Sequence, residues 1–201
     1  SKFLAEIGWR EFNHTLINHF PHMLNNNYSK KFDQFPWEKN SKFLTAWKKG
    51  LTGYPIVDAG MRELYSTGWM HNRVRMIVGS FLVKHLLINW TEGEKHFKNC
   101  LLDYNEANNV SGWQWVAGCG ADAAPYFRIF NPITQSTNFD PEGKFIKQFI
   151  PELNMLSSKE VHFPTTDLLT SFNYPSPILD LKSSRLRAIE VFKENNATRD
   201  A

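Results

Sequence analysis

The sequence predicts an all-α fold of about eight helices, and three observations carry that expectation. Apolar residues recur at helical spacing along much of the chain, no useful stretch alternates as a strand would, and capping and stop residues bracket the periodic segments. A chain of 201 residues can bury one substantial core, so a single domain is the default.

The elements are expected in this order. Over residues 3–20, Leu4, Ile7, Phe12, Leu16 and Phe20 fall near one face, and Pro21 stops the helix. Ser41 is placed to cap a helix that ends at Gly50. Pro55 suits a first helical turn and Gly68 a stop. Residues 71–90 read as one long helix. Thr91-Glu92-Gly93-Glu94 has the form of a capping box for the next, which should run to about Asp103. Asp122 can cap a helix through Phe130 that Asn131-Pro132 ends. Residues 142–150 and 182–194 complete the set. Residues 151–177 are rich in Pro, Ser and Thr and are expected as a surface excursion within the domain. There is no internal repeat and no low-complexity tract.

Composition narrows the function classes. With 42% hydrophobic and 21% charged residues the chain is globular rather than disordered. A net charge of +3 permits a nucleic-acid partner only through a local basic patch. Cys100 and Cys119 suit neither a zinc knuckle nor a disulfide framework and are expected as reduced thiols. The seven His residues show no metal-ligand pairing, with His14, His19 and His22 expected on a helix surface, so no metal site is assigned. The longest apolar run, residues 76–83, is interrupted by Gly79 and Ser80 and is far below the ~20 residues that cross a bilayer. The chain opens on Ser1-Lys2 with neither an initiating Met nor a signal peptide, so it is expected to start within a longer, cytoplasmic protein. Seven Trp and sixteen Phe fit either a packed core or a site that uses flat rings for stacking or electron transfer.

Two clusters can carry chemistry. Asn72, Arg75, Met76, Gly79 and Val83 share a helix face. An amide, a guanidinium, a thioether and a glycine together suit a flat, partly polar ligand. The plainer alternative is an amphipathic helix whose Arg75 pairs with a carboxylate such as Asp103; spacing alone leaves both open. The second cluster runs from Asp103 to Asn109 and leads into Gly112-Trp113-Gln114-Trp115. So many acids and amides suggest a solvated turn, here one that feeds polar groups into an aromatic pocket. Gly118-Cys119-Gly120 is no phosphate loop, since no strand precedes it.

Three longer motifs are more specific. They are Thr52-Gly53-Tyr54-Pro55-Ile56-Val57-Asp58-Ala59, then Gly68-Trp69-Met70-His71-Asn72-Arg73-Val74-Arg75-Met76. The third is Trp113-Gln114-Trp115 followed by Asp122-Ala123-Ala124-Pro125-Tyr126-Phe127-Arg128-Ile129-Phe130-Asn131-Pro132. In order and spacing they resemble the photolyase and cryptochrome family over essentially the whole chain. The resemblance is strongest to microbial members that repair cyclobutane pyrimidine dimers.

The resemblance implies a helical domain that binds flavin adenine dinucleotide (FAD), active when reduced, and passes an electron in light to a flipped-out dimer in ultraviolet-damaged DNA. It implies that Asn109 stands beside the reactive flavin nitrogen and that Arg75 and Asp103 form a salt bridge against the ring. Asp103, Tyr104 and Asn105 match a flavin-contacting triplet, although relatives often carry Asp where Asn105 stands. Phe3, Glu6, Arg10 and Asn72 are implied at the cofactor as well. Trp113, Trp90 and Trp37 match the chain of indoles that reduces the flavin. Trp9, Met76 and Trp115 match the residues that enclose the dimer, while Glu6, Arg10, Asn13, Asn72, Arg73, Arg128 and Gln135 match positions that hold the lesion or nearby DNA. The family's α/β antenna domain, which would carry the antenna chromophore, and its Ser/Thr-rich phosphate loop precede the matched segment and are absent from this sequence. Residues 1–201 are therefore expected to be the C-terminal part of the FAD-binding domain of a monomer with no membrane partner. The alternatives are a blue-light signalling flavoprotein of cryptochrome type and an inactive remnant that does not retain FAD.

Overall fold

The computed structural model describes residues 2–197. They form ten α-helices with short 3-10 turns, and no strand is present among the described residues. The helices are α1 (Lys2–His19), α2 (Ser41–Lys49), α3 (Pro55–Thr67), α4 (Asn72–Ser80) and α5 (Trp90–Cys100). They continue with α6 (Glu106–Ala117), α7 (Pro132–Phe139), α8 (Lys144–Phe149), α9 (Thr166–Ser171) and α10 (Leu181–Ala197).

Helix α3 is the hub. It is buried along most of its length and packs against α2, α4, α7 and α8. Asp58 within it is fully buried. Its carboxylate accepts from the Thr52 backbone N–H at 2.7 Å, the Thr52 hydroxyl at 2.6 Å, the Gly53 N–H at 3.0 Å and the Tyr174 hydroxyl. Burial pushes this carboxyl upward from its ordinary pKa, and these four donors pull it back. They also fasten residues 52–54 and 174 to the hub.

Several boundaries differ from the sequence reading. Helix α2 is capped by Asn40, whose side chain accepts from the Phe43 N–H, rather than by Ser41. The expected single helix over 71–90 is three pieces. After α4 the chain takes a π-helical turn, Phe81–His85, closed by the Leu86 N–H on the Phe81 carbonyl. It then turns sharply at Leu87, a buried leucine at φ +53°. Asn89, not Thr91, caps α5 by accepting from the Thr91 N–H. Helix α5 stops at Cys100, short of Asp103.

The expected helix over 122–130 does not form. Ala124 precedes Pro125, which disfavours helical backbone. The segment is held instead by the Ala124 N–H on the Trp115 carbonyl and the Phe130 N–H on the Ser80 hydroxyl. Asn131-Pro132 starts a helix rather than ending one, because Asn131 Oδ1 accepts from the Ile133 and Thr134 N–H groups. The polar run 105–109, read as a turn, is the first turn of α6, capped by Asn105 through the Asn108 N–H. The 151–177 stretch is only partly a surface excursion. Leu153, Leu156, Val161, Leu169 and Tyr174 are buried against the body of the domain.

Candidate cofactor and substrate cleft

Helices α1, α4 and α6 and the 101–105 loop enclose a cleft of about 620 Å³, within the range of small-molecule sites. Helix α1 supplies Glu6, Trp9, Arg10 and Asn13. None of its residues is buried, and Trp9 is 54% exposed with its ring edge-on to Phe12. Two side-chain bonds tie this wall to α6: Asn13 Nδ2 donates to Asn108 Oδ1 at 3.0 Å, and Asn105 Nδ2 meets His14 Nε2 at 3.1 Å.

Helix α4 supplies Asn72, Arg75, Met76 and Gly79. It starts where His71 Nδ1 accepts from the Arg73 N–H at 3.1 Å. Arg75 donates through Nη2 to both carboxylate oxygens of Asp103, at 3.0 and 2.7 Å, and through Nε to the Met70 carbonyl at 2.7 Å. The two sequence readings of this face therefore merge: Arg75 pairs with Asp103, and the pair is itself part of the cleft wall. Behind it, buried Glu63 has Oε2 without a hydrogen-bond partner. Burial pushes its carboxyl up to about 7 against the opposing pull of Arg75.

Helix α6 supplies Asn108, Asn109, Trp113 and Trp115. Asn109 donates through Nδ2 to the Glu94 carboxylate at 3.2 Å and carbonyl at 3.4 Å. The Tyr104 hydroxyl donates to the same carboxylate oxygen at 2.9 Å. Burial and Glu94 both hold the Tyr104 phenol well above its ordinary pKa. The two bonds to Glu94 commit the Asn109 NH₂, and Asn109 itself lines the cleft. Glu94, expected in a capping box, is instead the shared acceptor of Asn109 and Tyr104.

Trp113 forms the back of the cleft. Its ring is slotted between Gly79 of α4 and Gly93 of α5, where a Cβ would stand 3.6 Å and 2.2 Å from it. Gly93 lies one turn along the helix that buried Trp90 opens. Half-buried Trp37 packs on Phe35 at 4.3 Å and Phe192 at 6.4 Å between ring centroids. The N–H of the next residue, Glu38, bonds to the Leu87 carbonyl and fixes this segment beside the loop into α5. Trp47, which the sequence reading did not single out, is fully buried with its ring 6.1 Å from that of Trp113.

Other expected residues lie outside the cleft wall. Phe3 is 69% exposed near the start of α1. Tyr104 stands behind Asn109. The Arg73 guanidinium lies over the Phe139 ring at 4.3 Å, and that of Arg128 over Trp115 at 5.4 Å and Phe130 at 5.7 Å. Gln135 has its Oε1 buried without a partner. Among the described residues no group of three His, Cys, Asp or Glu side chains could hold a metal ion, and no helix is long and apolar enough to cross a membrane.

The family model for the FAD-binding domain of DNA photolyase matches residues 3–194. The chain belongs to the DNA photolyase family. It is 50% identical over 201 residues to a deoxyribodipyrimidine photo-lyase of Agrobacterium fabrum, covering 96% of this chain and 42% of the relative. It is 48% identical to that of Escherichia coli K12, again covering 96% and 42%. Among solved structures it superposes on a bacterial class III photolyase from Agrobacterium tumefaciens with a TM-score of 0.92 at 48% identity, covering 98% of this chain and 42% of that one. It superposes on a Synechocystis cryptochrome with a TM-score of 0.87 at 34% identity, covering 94% and 41%. The chain thus spans about 42% of the length of the photolyases it matches.

Proposed function

We propose that this chain is the catalytic, FAD-binding part of a light-driven enzyme that splits cyclobutane pyrimidine dimers in ultraviolet-damaged DNA. One observation carries the reading. A single cleft brings together a polar set suited to a flavin (Arg75, Asp103, Asn109) and a set suited to a flipped-out pyrimidine dimer (Trp9, Met76, Trp115), with Trp113 between them and the core.

The residues fit a flavin. Ser111 lines the cleft with its Oγ buried and unpartnered, and so is poised for a ligand. At Gly112, also on the wall, a Cβ would meet nothing within 4 Å, which leaves room for a ring beside α6. Arg75 would donate to ring oxygens while Asp103 holds it in place. Asn109, oriented by Glu94, would offer its amide oxygen to a ring N–H. When bound, the reduced cofactor supplies the light-driven electron that opens the cyclobutane ring. Trp9 and Trp115 would stack on the extruded nucleotides, an extrusion photolyases share with glycosylases and methyltransferases. Arg73 and Arg128 are exposed or half-buried cations suited to phosphate. The same reading takes Trp113, Trp90 and Trp37 as the route by which the flavin is reduced, and the protein as a cytoplasmic monomer.

The similarity to a cryptochrome favours a second reading, blue-light signalling through a partner protein. Trp9, Met76 and Trp115 in one cleft support repair over signalling, because signalling needs no dimer pocket. Illumination of a dimer-containing oligonucleotide with the reduced, flavin-loaded protein tests the choice. Restored thymines, absent in the dark, are expected. Flavin photochemistry with the dimer left intact would overturn the repair reading.

A further inference from the structure

We infer that Glu63 is a positioning residue for the cofactor: it takes up a proton as the anionic cofactor enters the cleft, and so leaves Arg75 to the ligand instead of drawing it back toward the core. The inference rests on the reading of the cleft as the FAD site.

Glu63 lies on the hub helix α3 and is 6% exposed. Its Oε2 is buried and has no hydrogen-bond partner. The hydroxyls nearest in sequence do not serve it: those of Ser66 and Thr67 donate to the Glu63 backbone carbonyl, at 3.2 and 2.8 Å. A buried carboxyl oxygen without a partner is uncommon and calls for an explanation. Helix α4 runs close by. At Gly60, one turn before Glu63, a Cβ would stand 2.4 Å from Val74 Cγ1. The next residue of α4 is Arg75, and it is the charge that acts on the Glu63 carboxyl. Other charges on the elements around α3 are engaged elsewhere or face solvent. Lys48 of α2 pairs with Glu92, Lys144 of α8 with Glu142, and Arg73 of α4 lies over the Phe139 ring. Lys42 and Lys49 of α2 are exposed, Lys147 of α8 is half-buried, and α7 carries no charge. On α3 itself, Arg62 pairs with Glu152, and Asp58 is held by Thr52, Gly53 and Tyr174.

The bonds of Arg75 to Met70 and Asp103 use Nε and Nη2 and leave Nη1. Two states follow. With Glu63 protonated, Arg75 and Asp103 balance each other and Nη1 is available to the cleft. With Glu63 ionised, a second carboxylate competes for the guanidinium, and the wall behind the cleft gains a negative charge that the buried surroundings screen poorly. FAD carries a diphosphate and is an anion in any redox state of its ring. It therefore binds better to the protonated form, and by reciprocity its binding draws a proton from solvent onto Glu63. Burial holds the empty-cleft carboxyl at about 7, so the exchange falls in the neutral range. Affinity is full below that pH and declines above it.

The protein and FAD alone test this. If the anion favours the protonated form tenfold, the Kd at pH 8 is roughly five times that at pH 6. Binding at pH 7.5 then takes up roughly half a proton, measured by calorimetry in two buffers of different ionisation heat. Glu63→Gln keeps the neutral shape. It should bind FAD with one Kd at both pH values and lose that uptake; a pH dependence that survives the substitution overturns the inference. Infrared titration without flavin gives a second readout. The protonated-carboxyl band that Glu63→Gln removes should fade near pH 7 in the wild type. It should fade at lower pH in Asp103→Asn, where Arg75 is released to Glu63. A titration that Asp103→Asn leaves unmoved overturns the coupling, and decides alone should Glu63→Gln fail to fold. No FAD binding at either pH, with the Asp103→Asn displacement present, would overturn the FAD reading itself and with it the proton uptake on binding.

Discussion

Trp113 rests directly on the backbone of Gly93: a Cβ at that glycine would stand 2.2 Å from Cη2 of the indole. This approach joins α6, which carries Trp113, to α5, which Trp90 opens. On an exposed helix Gly→Ala stabilises by roughly 1 kcal/mol. Here the added methyl has to push the indole aside, and overpacking costs about 1–3 kcal/mol. Gly93→Ala should therefore lower stability, by about 1 kcal/mol net, with a change in tryptophan emission. Urea unfolding followed by fluorescence checks it, and a variant more stable than wild type would refute the contact.

Glu63 should give the protein an acid-side pH dependence. Its folded carboxyl stands at about 7 against 4.5 for the free group, chiefly because it is buried. Between those values the folded chain holds a proton that the unfolded chain has released, so stability falls as pH rises from 4.5 to 7 and is level above. Glu63→Gln should remove that slope and be more stable than wild type at pH 8, by about 2 kcal/mol. Denaturant midpoints of both proteins at pH 5 and pH 8 measure it.

Lys84 works in the opposite sense on the alkaline side. It is fully buried, with Nζ donating to the Ala117 carbonyl at 3.2 Å and lying 3.4 Å from the Phe192 ring centroid. Burial brings its amine down to about 7 from 10.5. Between those values the unfolded chain holds the extra proton, so stability rises with pH from 7 toward 10.5. Lys84→Met should flatten this limb and exceed wild type at pH 6 by about 2 kcal/mol. Thermal midpoints at pH 6, 7.5 and 9 suffice, and a slope that survives in Lys84→Met would assign the effect elsewhere.

The indoles should divide their labour. Stacking on an aromatic face contributes about 1–3 kcal/mol per base, so Trp115→Ala should lose roughly one to two decades of affinity for a dimer-containing oligonucleotide. It should leave flavin photoreduction nearly intact. Trp37→Phe keeps the packing on Phe35 and Phe192 but removes an easily oxidised ring. It should slow photoreduction while the chemically reduced protein still repairs. Parallel loss of both activities with a common drop in stability would show that the rings serve only as packing.

What the sequence revealed depended on whether the signal was local. Helices α1, α3, α8 and α10 were legible because periodic apolar residues and stops such as Pro21 and Gly68 lie within each segment. The break between α4 and α5 was not, since Leu86-Leu87-Ile88 continues the apolar pattern. The turn there depends on burial of Leu87 and on the bond its carbonyl accepts from the distant Glu38 N–H. Helix α6 was hidden by its polar first turn, where Asn105 caps rather than solvates. In the cleft wall, Arg75, Trp113 and Trp115 stand within motifs and Asp103 and Asn109 within the polar run before α6, so the sequence singles them out. Glu94 and Trp47 act across the fold through partners that residue patterns do not display.

Three consecutive residues of α6 do three unrelated things. Trp113 fills the slot against Gly93, Gln114 clamps residues 23–28, and Trp115 faces the cleft beneath Arg128. Each step along a helix turns the next side chain by about 100°, so these directions are locked to one another by register. A substitution disables one of them; the gain or loss of a single residue inside α6 would misdirect all three together. Drift in this helix is therefore confined to exchanges of side chain. Changes of length belong instead in exposed turns outside the helices, such as 157–160, where no helical register is carried forward.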